Sequence, residues 1–224
     1  MKVPPSDGIR LLSFDGGDIR TVSQLIILNE FMQRVEWDRK TENRILPCDY
    51  FHLMAGTGTG GLIAILLGVI CMSVEEAIQT FTTIWETVYA DETLDKILRL
   101  EKLADAMRNI LKRKGIPDNR LLYPENADLA GCNVFVCVAP DSNLGLCEKF
   151  RNYKARATSV NPTVIEALQA TCADPTFFLP VSIGSTGARI SYVTGAYNFN
   201  NPAWECIKEA CEHFGSDQNA IFLL

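Results

Sequence analysis

A chain of 224 residues with 47% hydrophobic content is long enough to bury a sizeable core in one domain, and its 21% charged residues exclude extended disorder. The formal net charge of −6 and the pI near 5.0 leave no basic field for nucleic acid or anionic lipid, so any membrane contact has to be apolar. Eight cysteines lie mostly inside apolar runs without C-x-x-C spacing, which argues against a zinc knuckle and for buried free thiols in a reducing compartment.

The N-terminal MKVPPSDG lacks the apolar core of a signal peptide, and no run approaches the length of a membrane span. A soluble, cytoplasmic protein is the expectation. Ile9 to Phe14 reads as a short strand running into Asp15-Gly16-Gly17-Asp18-Ile19-Arg20-Thr21, and Leu25, Leu28, Met32 and Val35 then recur at helical spacing. Arg39 to Pro47 is a polar connection. Tyr50 to Ala55 reads as a second, buried strand, followed by a cluster of glycines and an apolar helix from Leu62 that stops near Gly68.

Ser73 and Glu76 form a capping box ahead of the stripe Val74, Ala77, Ile78, Phe81, Trp85 and Val88. Leu100, Leu103, Ala104, Met107, Ile110 and Leu111 make a further helix, ended by Gly115 and Pro117. Cys132 to Ala139 is a continuous apolar run, the pattern of a fully buried strand, and Leu146 to Tyr153 reads as another. Asn161-Pro162 offers an N-cap and a first-turn proline for a helix with Ile165 and Leu168, which Ala173-Asp174-Pro175 breaks. Ile190 to Val193 reads as a strand ending in Thr194-Gly195. Asn201-Pro202 starts a helix through Ala203, Ile207, Ala210, Cys211 and Phe214, and Ala220 to Leu224 is a last strand. Strands alternating with helices predict a mostly parallel sheet covered on both faces.

Two motifs overlap at the second turn. Gly56, Thr57, Gly58, Thr59 and Gly60 keep the frame of the G-x-S-x-G nucleophile elbow, with glycine where the attacking hydroxyl belongs. Gly56, Gly58 and Gly61 also match G-x-G-x-x-G, which in a dinucleotide site cradles a pyrophosphate. The acidic residue that such a site needs at the end of the next strand falls here in the helix after Ser73, at Glu75 and Glu76. Thr57, Thr59, Ser13, Ser23 and Ser191 are candidate surrogate hydroxyls, although an elbow aims only its apex residue. His52 and His213 stand in no motif.

Taken in order, DGG-x-x-R, GT-x-TGG, the helix PTVIEALQATCADPTFF and a strand ending in x-G before NNP resemble the patatin-like phospholipase family, from about Ile9 to the end of the chain. The resemblance implies a three-layer α/β/α sandwich, a single patatin-like domain over residues 1–224, and lipid acyl hydrolysis by a Ser-Asp dyad without cofactor or metal; the end on an apolar strand is read as truncation of a longer protein or as a family domain shortened there. It places the serine at Gly58, the aspartate at Thr194 and an oxyanion-hole loop on Gly16, Gly17, Asp18 and Arg20, with Asp18 and Thr21 where the family has glycine. Glycine cannot attack, and a threonine hydroxyl does not accept a proton near neutrality. The implied protein is a pseudoenzyme. Its expected ligand is an acyl lipid or fatty acid held by free N–H groups at the turns before Val22 and Leu62; no nucleic acid is expected, and peripheral membrane contact is allowed.

Overall fold

The computed structural model describes residues 8–41, 44–124, 132–155, 160–215 and 221–224; the expectation for residues 1–7 of the N-terminus lies outside them. Strands β1 (Ile9–Phe14), β2 (Leu53–Thr57), β3 (Asn133–Pro140), β4 (Glu148–Arg151), β5 (Val181–Ile183), β6 (Ile190–Thr194) and β7 (Ile221–Leu223) form one sheet, in the order β5-β6-β3-β2-β1-β7 with β4 also paired to β3. The run β7-β1-β2-β3 is parallel. Beyond it, β4 and β6 pair antiparallel with β3, and β5 turns back on β6, so five of the seven strands share one direction.

Side chains alternate between two apolar layers, as the period of a strand requires. Leu12, Phe14, Met54, Val134, Val136 and Val138 face a large core shared with α1 (Thr21–Arg39), α3 (Thr59–Gly68), α4 (Val74–Ile84), α5 (Lys96–Arg113) and α6 (Val164–Cys172). Ile9, Leu11, Leu53, Ala55, Phe135 and Cys137 face the opposite way, onto Cys206 and Ala210 of α8 (Ala203–Phe214). The result is the α/β/α layering. All ten residues of α3 are buried, which is why its sequence is apolar all round rather than striped.

Local boundaries move where side-chain hydrogen bonds decide them. Pro47 opens the short helix α2 (Pro47–Tyr50), so β2 starts at Leu53 and not at Tyr50. Helix α6 is capped by Thr163 in a reciprocal box with Glu166, whereas the Asn161 amide is occupied bridging the Tyr123 backbone N–H and carbonyl. Pro202 itself is the N-cap of α8, with Asn201 Oδ1 accepting from Ala203 N–H at 2.9 Å. Strand β5 and the short helix α7 (Ala196–Phe199) escape the apolar pattern because each is under five residues long.

Candidate functional site

Strand β2 delivers the chain to Gly58, which has φ 59° and ψ −129°, and α3 begins at the next residue. The register sets Thr57 beside Cys137 of β3 and Val138 of β3 beside Thr194 of β6, so Gly58 and Thr194 reach the same end of the sheet on either side of β3. The glycines around the turn have unequal tasks. A Cβ on Gly56 would lie 2.3 Å from Gly60 O, one on Gly60 2.3 Å from Phe14 O, and one on Gly61 2.7 Å from the Thr171 side chain. Those three permit close packing of strand and helix against one another, a use different from cradling a pyrophosphate. A Cβ on Gly58 would meet Thr194 Oγ1 at 3.7 Å and Gly16 Cα at 3.8 Å, ordinary contact distances. The apex therefore has room for a side chain directed at Thr194, in a left-handed conformation that favours glycine.

The first glycine loop is drawn against this turn by hydrogen bonds that consume its donors. Gly16 N–H donates to Asn200 O at 3.1 Å and Asn200 Nδ2 donates back to Gly16 O at 3.0 Å. Gly17 N–H donates to Thr59 Oγ1 at 3.3 Å, and Thr59 Oγ1 shares a buried 2.7 Å hydrogen bond with Thr21 Oγ1. Gly58 N–H donates to Thr171 Oγ1 at 3.2 Å. The expectation of free N–H groups at both turns is corrected at these three residues, because threonine hydroxyls and an asparagine carbonyl have taken the place of a ligand. Asp18 holds φ 53°, a left-handed conformation that aspartate tolerates better than most residues. Arg20 Nε leans back on Gly17 O at 3.4 Å.

These residues line a cavity of about 160 Å³ together with Tyr89, Cys172, Asp174, Ala196 and Asn200. Asp18 is exposed at its edge; burial of its carboxyl and then the Asp174 carboxylate push its pKa up, and Arg20 opposes them. Tyr89 is only 6% exposed, and its Oη has no oxygen or nitrogen partner, only the sulfur of Cys172 as a weak one. The phenol neighbours the Cys172 thiol, a weak acceptor that itself donates to Gly58 O at 3.5 Å; burial raises Cys172 to about 12.

Tyr89 is placed from behind. It ends a five-residue π turn, Trp85–Tyr89, that continues α4, and buried Arg99 of α5 donates to the carbonyls of Val88, Tyr89 and Asp91. Its ring is stacked on Trp85 and edged by Phe177 and Phe178. The sequence stripe ended at Val88, one residue short. Asp174 reads in sequence as a helix breaker, and nothing there marks it as a wall of this cavity.

Four of the five candidate surrogate hydroxyls are otherwise engaged. Thr57 is fully buried and donates to Phe199 O at 2.8 Å, and Thr59 sits in the chain described above. Ser23 Oγ donates to Arg20 O, Ser191 Oγ pairs with Ser182 at 3.1 Å, and Ser13 lies within β1; these three do not line the cavity. His52 Nδ1 accepts Arg10 N–H, and His213 packs on Tyr153 and Phe214; neither borders the cavity. Among the described residues, no three His, Cys, Asp or Glu side chains are placed to hold a metal ion, and no helix is long and apolar enough to cross a membrane. A larger open groove of about 970 Å³ between α4 and α5 is lined by none of the candidate site residues.

A family model described as "Patatin-like phospholipase" matches residues 12–207. Phospholipase A I of Arabidopsis thaliana is 31% identical over 87 residues, which cover 39% of this chain and 6% of that protein. Calcium-independent phospholipase A2-gamma of Homo sapiens is 25% identical over 213 residues, covering 88% of this chain and 25% of that protein. VipD from Legionella pneumophila has the same fold, with a TM-score of 0.51 at 12% identity over 98% of this chain and 50% of that one. The chain thus spans a quarter or less of the two curated relatives and half of the structural one.

Proposed function

The chain belongs to the patatin-like phospholipase family, and from that premise we propose that it is a lipid-binding member, built as one patatin-like domain, that does not hydrolyse its ligand. One observation carries the reading. At the apex of a strand–turn–helix with left-handed geometry stands Gly58, with space for a side chain that would face Thr194, and the side chain is missing. Without a nucleophile the covalent step is gone, and Thr194 Oγ1, already accepting Ala196 N–H at 3.2 Å, is no base. Loss of a nucleophile of this kind costs on the order of a millionfold in serine hydrolases. The lipid class is supported by the relatives, which are phospholipases by name. A reducing, cytoplasmic setting is supported by eight unbridged thiols, five of them buried.

The test is repair. Gly58→Ser with Thr194→Asp is expected to hydrolyse a p-nitrophenyl acyl ester at least about a hundredfold faster than either single variant, because a positioned base contributes about that much and more. The wild-type chain is expected to match a heat-denatured blank. Wild-type turnover that survives rigorous purification and is lost in Thr59→Ala or Thr57→Ala would defeat the proposal.

A further inference from the structure

Three of the donors around the cavity beside Gly58 are spent inside the protein. Gly16, Gly17 and Gly58, whose N–H groups would cradle an anion, have already donated them within the protein. Four of its lining residues carry acceptor oxygens: Asp18, Asp174, Thr194 and Tyr89, whose buried phenol has no oxygen or nitrogen partner. Two carboxylates against the single guanidinium of Arg20 leave one net negative charge. The half charge at the N-terminus of α3 does not cancel it.

A buried hydroxyl without an oxygen or nitrogen partner is costly, and its aromatic neighbours hold Tyr89 in place so that it cannot turn to water. The left-handed backbone at Asp18 is a second cost kept at the same spot. The phenol oxygen is put to use by one kind of guest. A fatty acid carboxylate is not that guest, since it would meet two like charges and find the N–H groups of Gly16, Gly17 and Gly58 already donated.

Resting on the lipid-binding reading above, we infer that this cavity holds a primary ammonium group, R–CH2–NH3+, between Asp18 and Asp174, with Tyr89 Oη and Thr194 Oγ1 as its further acceptors. Three N–H donors on one compact cation match carboxylate, carboxylate and phenol oxygen. The volume of about 160 Å³ admits an ethanolamine-sized group and leaves an acyl chain outside. Such an ammonium reaches the site either as the end of an ethanolamine headgroup or as a free amine. In the first case the attached phosphate remains at the mouth, which Arg20 borders.

Calorimetric titration of the wild-type chain with ethanolamine, phosphoethanolamine, choline and butyrate tests the site. Ethanolamine is expected to bind, choline more weakly for want of N–H donors, and butyrate not at all. Asp174→Asn is expected to weaken ethanolamine about tenfold, the worth of one charge-assisted hydrogen bond, and Tyr89→Phe severalfold. The asparagine can still accept Thr176 N–H, now received at 2.7 Å, and the phenylalanine removes an atom without an oxygen or nitrogen partner, so both variants should fold, as near-ultraviolet circular dichroism would verify. Tighter binding of phosphoethanolamine than of ethanolamine assigns a lipid headgroup and the reverse a free amine; either supports the site. Butyrate competing with ethanolamine, ethanolamine affinity equal in wild type and both variants, or no ammonium binding at all would each overturn it. Ester turnover by the same wild-type preparation would sink the hydrolytically silent reading and leave the ammonium site standing, so the two failures are told apart.

Discussion

Beneath α8, charged side chains close on one another. Glu209, 3% exposed, accepts from Arg151 Nε at 2.6 Å and Nη2 at 2.9 Å, from Tyr153 Oη at 2.8 Å and from Lys149 Nζ at 3.3 Å, and Lys149 also pairs with Glu205 at 2.9 Å. Three cations, Lys149, Arg151 and Lys208, meet two anions, and the phenol of Tyr153 has its acceptor. In the cavity beside Gly58 the same chemical ingredients are left open: two carboxylates and one guanidinium share the lining, and the phenol of Tyr89 has no oxygen acceptor. The first arrangement pins α8 to β4 and has nothing left to offer a ligand. The second leaves acceptors available, as the proposed ammonium site requires, whereas the other buried side-chain nitrogen and oxygen atoms among the described residues have partners.

Removing the keystone of the closed cluster should have the largest effect. Glu209→Ala strands the half-buried Arg151 guanidinium and a buried phenol, leaves Lys149 only Glu205, and is expected to lower stability by about 3–5 kcal/mol in chemical denaturation. A loss under about 1 kcal/mol would mean that the cluster is not the rivet it is taken for, and the contrast would fail.

Acid should act next. Burial alone would raise the Glu209 carboxyl, but the Arg151 hydrogen bond and charge, with Tyr153 and Lys149, hold it down to about 2 from an ordinary 4.5. Its contribution is present in full above pH 4.5 and disappears as the pH falls towards 2, an expected loss of about 3 kcal/mol. Asp18 has the opposite sign: its raised pKa means that protonation favours the folded chain, and its stabilising effect fades as the pH rises through the folded value. Denaturation curves of wild type and Glu209→Gln between pH 6 and pH 2 separate the two. A Gln variant that keeps the whole acid loss would move its origin away from Glu209.

The smallest change expected is a gain. Tyr89→Phe discards a buried oxygen without an oxygen or nitrogen partner and should stabilise the ligand-free chain by about 1 kcal/mol, read as a raised melting temperature. Destabilisation of that size instead would show that the hydroxyl is already satisfied and that the cavity is as closed as the cluster under α8.

The long periodic elements were readable in advance. The stripes that became α4 and α5, the apolar run of β3 and the glycine turn after β2 carry their patterns within a dozen residues of one another. Pairings between distant segments left no such trace. Thr59 reads as a flank of the elbow, and only the fold shows its hydroxyl taking Gly17 N–H while bonding Thr21. Asp174 reads as a helix terminator and Tyr89 as the residue after a core stripe, yet both reach the cavity, the second through a π turn held by Arg99 from another helix.

What the amino-acid order alone decided is the alternation of strand and helix, the family motifs, and the absence of a hydroxyl and a carboxylate at positions 58 and 194, since these are matters of local period and residue identity. Tertiary structure alone decided which donors are spent and which acceptors stay open around Gly58. Hydrogen bonds and charge are settled by distances of a few ångströms between atoms whose residues lie far apart along the chain, and those distances exist only once the sheet has brought β1, β2 and β6 to one edge.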